Sequence, residues 1–285
     1  MYPQFNYVYC ANQFERYKMS YTSWGNPETC DKTLLCVHGL NRNGRDFDFI
    51  GKHFSKLGYY VVAPDIVGRG NSDYLLNPLG YDIPYYVTDI MLLINSLQLK
   101  NIHFLGTSMG GIIGMGIAAL PINPIQKLIL NDIGAEVEMA GLMRIAAYTG
   151  ASVDFADYAS AKQYMISTSL DFGNLPDDVW EFFCRISLQK NLLGRYEIKR
   201  DLKLSFNFKT ATATPGNLML WDYWKLVKTP TLVIRGANSD LLSVKTIEKM
   251  QTTNPNTSYT EIANCGHAPY LYNDSHFAII NNFLS

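Results

Sequence analysis

Six short apolar, β-rich runs punctuate this chain, and each stops on small or polar residues. Residues 33–37 (TLLCV) stop at His38-Gly39, residues 59–63 (YYVVA) at Pro64-Asp65 and residues 102–105 (IHFL) at Gly106. Residues 128–130 stop at Asn131-Asp132, residues 231–234 at Arg235-Gly236, and residues 259–262 lead to Cys265-Gly266-His267. The runs are continuous rather than alternating, which marks strands buried on both faces of a parallel sheet. Helix-like stretches at 44–57, 83–98, 109–120 and 243–252 separate several of them, so the strands are joined by crossovers. The fold class expected is therefore α/β: an open, mostly parallel sheet with helices on both faces. Upstream, Glu15–Tyr21 reads as one of an antiparallel pair of edge strands.

One interval breaks the rhythm. From Ala135 to Val227 no buried strand stands out, whereas amphipathic helical stretches rich in aromatic residues do. The expected organisation is a core domain of residues 1–134 and 228–285 with a helical cap (lid) inserted at 135–227. Some of the aromatics should line an apolar pocket between the two, and most should pack the cap itself.

Composition narrows the partners. The 285 residues are 47% hydrophobic and 17% charged, with a formal net charge of -1. A nearly neutral chain gives no electrostatic reason to bind nucleic acid or an anionic membrane. Lys199, Arg200 and Lys203, interleaved with Asp201, read as a solvated face. The opening residues lack the pattern of a signal peptide, and no apolar run has the length of a membrane span. Five cysteines without paired metal-ligand spacing fit free thiols in a reducing compartment, so the expectation is a cytoplasmic protein.

Gly106-Thr107-Ser108-Met109-Gly110 places a serine between a strand and an apolar helix. The flanking glycines permit the sharp turn that lifts the hydroxyl above the sheet. Serine needs a base. Of five histidines, His53 and His276 fall in helices where a surface role is expected, and His103 opens the nucleophile strand at the wrong end of the sheet. His38 suits a structural part in its own loop. His267, on a loop after the last strand, is the expected general base. The acid that orients it is expected to be Asp240, after the strand at 231–234, with Asp132 as the rival, more suited to capping the start of the insertion. The oxyanion donors expected are the backbone amides of Met109, at the helix N-terminus, and Leu40, with Asn41 as the alternative to Leu40. The glycines of the 65–72 loop lack a following lysine and the dinucleotide spacing, so they read as a structural turn.

Taken together, His38-Gly39-Leu40, Pro64-Asp65 with Gly68, Gly70 and Ser72, the 106–110 elbow, Asp240 and Gly266-His267-Ala268-Pro269 resemble the α/β-hydrolase superfamily. The resemblance runs from about residue 20 to the end, apart from the cap. Within the superfamily the chain is similar to bacterial esterases, enol-lactonases and carbon–carbon bond hydrolases. Epoxide hydrolases and haloalkane dehalogenases carry Asp where this chain has Ser108. The resemblance implies a cofactor-free, metal-free acyl transfer through Ser108, His267 and Asp240, and the aromatic content of the insertion points to a small or medium, largely apolar acyl substrate as the small-molecule partner. An acyltransferase, a β-diketone hydrolase using Arg144, Arg185 or Arg195 to bind a carboxylate, and an inactive ligand-binding homologue are the alternatives.

Overall fold

The computed structural model describes residues 2–213 and 216–285; Met1 of the expected core and residues 214 and 215 of the 135–227 interval lie outside them. The main sheet has eight strands: β1 (Gln4–Ala11), β2 (Arg16–Trp24), β3 (Lys32–Val37), β4 (Tyr59–Pro64), β5 (Ile102–Thr107), β6 (Ile125–Asn131), β7 (Thr231–Gly236) and β8 (Thr257–Ile262). Their spatial order is β1-β2-β4-β3-β5-β6-β7-β8. From β4 onward every pairing is parallel, while β1 and β2 pair antiparallel with each other and β2 pairs antiparallel with β4.

Alternate side chains of each strand feed opposite faces, as the pleat requires. Leu35, Val37, Phe104, Leu128, Leu130 and Val233 pack on one face with α2 (Ile83–Ser96) and α3 (Met109–Ala118). On the other, Leu34, Cys36, Leu105, Ile129 and Ile234 pack with α1 (Asp48–Phe54) and with the carboxyl-terminal helix, Asp274–Leu284. Both faces are covered, which is why the strand sequences are apolar without alternation.

Between β6 and β7 lie helices Met139–Tyr148 (α4), Tyr158–Ser167 (α5), Asp177–Ser187 (α6), Ser205–Ala213 (α7) and Trp221–Trp224 (α8). The interval also holds strands, which the periodicity did not reveal. Asp154–Phe155, Tyr196–Ile198 and Leu188–Lys190 form a three-stranded sheet, and Glu136–Val137 pairs with Leu218–Met219. At two or three residues each, they are too short to show a period of two. The stretch 243–252 corresponds to α9 (Val244–Thr253), and the chain closes with Asp274–Leu284 (α10).

The consequence for function is geometric. β3, β5, β6 and β7 are neighbours and run in the same direction, so their carboxyl ends collect His38, Ser108, Asp132 and the loop after Gly236 on one edge of the sheet.

Candidate active site

β5 turns into α3 within a single residue. Ser108 occupies that turn at φ 52° and ψ −116°, a conformation that costs a non-glycine residue energy. The turn is fixed by neighbours: Ser108 N–H donates to Asn131 O at 3.0 Å, and Ser108 O accepts from Gly111 N–H at 2.8 Å. A Cβ at Gly106 would overlap the Gly110 backbone, and one at Gly110 would overlap the Val37 carbonyl. Glycine at both positions is what lets the helix start this close to the strands.

His267 and Ser108 meet, with Nε2 2.8 Å from Oγ. On the far side of the ring, Nδ1 lies 2.8 Å from Oδ2 of Asp132. A carboxylate can only accept, so Nδ1 carries the hydrogen and Nε2 is left to accept the serine proton. Asp132 is fully buried and also accepts from Gly236 N–H at 2.8 Å and from Ser239 Oγ at 2.6 Å. Those two donors, from the last residue of β7 and from the loop after it, brace the aspartate that follows the neighbouring strand β6.

Asp240 does not fill the place expected for it. Its carboxylate is gripped by Arg144 of α4, with Nε at 2.6 Å and Nη2 at 2.7 Å. The same guanidinium reaches Asp171 at 2.8 Å. Hydrogen bonding from Arg144 holds the Asp240 carboxyl below its ordinary range, and the side chain remains 37% exposed. The chain order serine, acid, histidine holds for either aspartate and so could not separate them. The discriminating signal was position: Asp132 directly follows the last residue of β6, whereas Asp240 lies beyond a turn after β7. Asp132 does not cap the start of the insertion.

Met109 is the first residue of α3, so its N–H has no acceptor within the helix. The Leu40 amide belongs to the same peptide unit as the Gly39 carbonyl. That carbonyl accepts from His38 Nδ1 at 2.8 Å and from Arg42 N–H at 3.1 Å, which turns the Leu40 N–H the other way. His38 also accepts from Ile66 N–H at 2.9 Å. Burial drives its pKa down to about 3, so the ring stays neutral as a brace. Arg69, fully buried, secures the next carbonyl, donating from Nε to Leu40 O at 2.9 Å. Asp65 closes its own loop by accepting from Asn71 N–H at 2.8 Å and ties it to the turn before α1 by accepting from Gly44 N–H at 2.7 Å. The Asn41 side chain donates to Thr149 Oγ1 at 2.9 Å.

Two cavities flank Ser108. The larger, about 160 Å³, is walled by apolar side chains including Ile112, Ile133, Val137, Leu142 and Phe208. The smaller, about 80 Å³, adds His267, Tyr148, Tyr164 and Arg200. Arg200 is thus not on a solvated face; both it and Asp201 are buried. The backbone bridge between Arg200 and Arg69, and the bond from Asp201 N–H to Gly68 O at 2.8 Å, press this segment onto the 65–72 loop. Arg185 and Arg195 pair with Glu181 and Asp154 and do not line either cavity. His53 packs on Phe54 and Phe277, His276 lies half-buried beside Tyr272, and His103 is buried at the other end of β5, where desolvation lowers its pKa to about 4. Among the described residues, no group of three His, Cys, Asp or Glu could hold a metal ion, and no helix is long and apolar enough to cross a membrane. All five cysteines are free thiols.

The family profile of the alpha/beta hydrolase fold matches residues 32–274. The chain belongs to the α/β-hydrolase family. Within that family it is 34% identical to a 3-hydroxybutyrate-oligomer hydrolase of Cupriavidus necator, over 99% of this chain and 98% of the relative. It is 25% identical to Lipase 1 of Psychrobacter immobilis, over 89% of this chain and 76% of the lipase. Among solved structures, an α/β hydrolase from Novosphingobium aromaticivorans superposes with a TM-score of 0.85 at 27% identity, covering 99% of this chain and 98% of that one. A candidate hydrolase from Rickettsia typhi reaches a TM-score of 0.91 at 34% identity, with 99% and 98% covered. With relatives named hydrolase, esterase and lipase, the chain is an ester-acting hydrolase.

Proposed function

We propose that this chain is a serine hydrolase of carboxylic esters and that its natural substrates are short oligoesters of hydroxy acids. One observation carries the ester chemistry: Ser108 Oγ, His267 and the buried Asp132 form an unbroken hydrogen-bonded line, each link 2.8 Å. The substrate class is supported by the likeness, end to end, to the 3-hydroxybutyrate-oligomer hydrolase.

In this reading His267 takes the proton of Ser108 as Oγ adds to the ester carbonyl. Asp132 stabilises the imidazolium so formed. The developing oxyanion is met by the amides of Met109 and Leu40, groups already oriented before substrate arrives. His267 then protonates the leaving alkoxide, and a water activated by the same ring releases the acyl group from Ser108. Residues 135–227 act as the cap whose apolar wall, with Val137, Leu142 and Ile145, holds the acyl chain.

Labelling with a fluorophosphonate, followed by mass spectrometry, tests the nucleophile. The adduct should fall on Ser108, and Ser108→Ala should lower turnover of a p-nitrophenyl ester by at least about 10³-fold. A folded protein that neither labels nor hydrolyses esters would remove the proposal. Cleavage of a hydroxybutyrate dimer and trimer, followed by mass spectrometry, tests the substrate class.

A further inference from the structure

Among the described residues, Arg200 is a buried cation with no carboxylate paired to it, and it lines the same cavity as Ser108 and His267. It is 6% exposed, and that cavity is the smaller of the two. Its Nη2 donates to Tyr148 O at 2.9 Å, while its buried Nε has no hydrogen-bond partner. Among the described residues no carboxylate lies within ion-pairing distance of it. Neighbouring Asp201 is committed elsewhere, accepting from Tyr81 OH at 2.6 Å. The other guanidinium of the cavity, Arg42, is paired with Asp46 and stacked on Phe183. A guanidinium withdrawn from water is unfavourable unless something negative meets it. Planar and forked, it matches a carboxylate.

We propose that Arg200 binds a free carboxylate on the alcohol half of the ester, so that the enzyme removes hydroxy acids one at a time from the carboxyl end of an oligoester. The inference rests on the hydroxy-acid reading given above. The side is fixed by proton traffic. His267 must protonate the departing alkoxide, and His267 lines the smaller cavity but not the larger one. The alcohol half therefore belongs beside Arg200 and the acyl half in the apolar cavity. The step balances: Ser108 Oγ bonds to the acyl carbon and gives its proton to His267 Nε2. The acyl C–O bond to the alcohol half breaks, and the alkoxide takes that proton. The freed hydroxy acid leaves with its carboxylate still ionised, and water then releases the shortened acyl chain from Ser108.

The experiment compares a hydroxybutyrate dimer as the free acid with the same dimer ending in a carboxamide, reading cleavage of the internal ester. In the wild type kcat/KM should favour the acid by at least about thirtyfold, the range of one charge-assisted pair. Arg200→Gln should bring the ratio to within about threefold of unity, with Arg200→Lys between. A ratio unchanged by Arg200→Gln, whatever the absolute rates, or a wild-type ratio near one, would overturn the inference and leave the substrate class standing. Failure of the wild type to cleave either dimer, while it turns over p-nitrophenyl esters, would overturn both. Should neither variant fold, competitive inhibition of the wild type decides: free hydroxybutyrate must bind at least about tenfold tighter than its amide, and equal inhibition rejects the site.

Discussion

Asp132 earns its place opposite His267 through what surrounds it rather than through its own chemistry, which Asp240 shares. It is out of solvent and held by Gly236 N–H and Ser239 Oγ, so both of its oxygens have fixed directions. Asparagine at 132 would offer Nδ1 an N–H where it now finds an acceptor, and the ring would settle in the unproductive tautomer. We expect Asp132→Asn to lower kcat/KM on p-nitrophenyl butyrate by about 10³–10⁴-fold. Asp240→Asn, at a half-exposed carboxylate engaged with Arg144, should cost less than about tenfold. Equal losses, or a larger loss at position 240, would return the acid's role to Asp240. At this scale the serine and the histidine were readable because their motifs state their own geometry: a turn that demands glycine, and a loop that follows the last strand. The acid has no such motif. Any aspartate after the right strand satisfies the chain order, and only hydrogen bonds between β6 and the β7 loop separate the two. Arg200 was misread for a related reason, since a basic residue among charged neighbours looks solvated until the backbone pairing that buries it is known.

The strands and the helices that cross between them were legible because each is long enough to show its burial. β4 and β7 are buried at every residue, and both had been marked by uninterrupted apolar runs. The edge strand expected at Glu15–Tyr21 corresponds to β2, whereas its partner β1 was not located, because its alternating aromatics Phe5, Tyr7 and Tyr9 face solvent rather than the core. Helix α3 shows how tightly one element is bound to the next. A Cβ added at Gly114 would lie 2.6 Å from Phe104 Cε1 and 3.0 Å from Leu128 Cδ1, both on side chains with no exposure. Alanine gains roughly 1 kcal/mol in helix propensity over glycine. Overpacking a filled core costs about 1–3 kcal/mol. The neighbours here cannot retreat, so packing wins, and Gly114→Ala should lower the melting temperature by a few degrees, measured by calorimetry. A rise would show that α3 has slack against the sheet, and that Ser108 is held by its own turn alone.

At the scale of the whole molecule, the insertion is fastened to the edge of the sheet that carries Ser108 and His267. Its cluster of buried residues, with Trp180, Phe183 and Cys184 of α6, includes Tyr270, which follows His267 on the same loop. Phe183 meets Tyr270 edge-on at 5.8 Å, and Phe172 stacks on the same ring at 6.2 Å. The Arg42 guanidinium lies 3.7 Å above the ring of Phe183. Arg144 adds a second tie between α4 and Asp240, though one this exposed contributes less than about 1 kcal/mol. Aromatic packing is thus the tie that reaches the His267 loop itself. Phe183→Ala removes a fully buried ring at a cost of about 3–5 kcal/mol. Because that ring is shared between the insertion and the His267 loop, the loss should reach both. The expected result is one cooperative thermal transition, lowered by about 6–10 °C, with kcat on a p-nitrophenyl ester reduced in the folded protein. Two separated transitions, with ester hydrolysis intact after the first, would show instead that the insertion melts as its own unit and that His267 is positioned by the sheet edge without it.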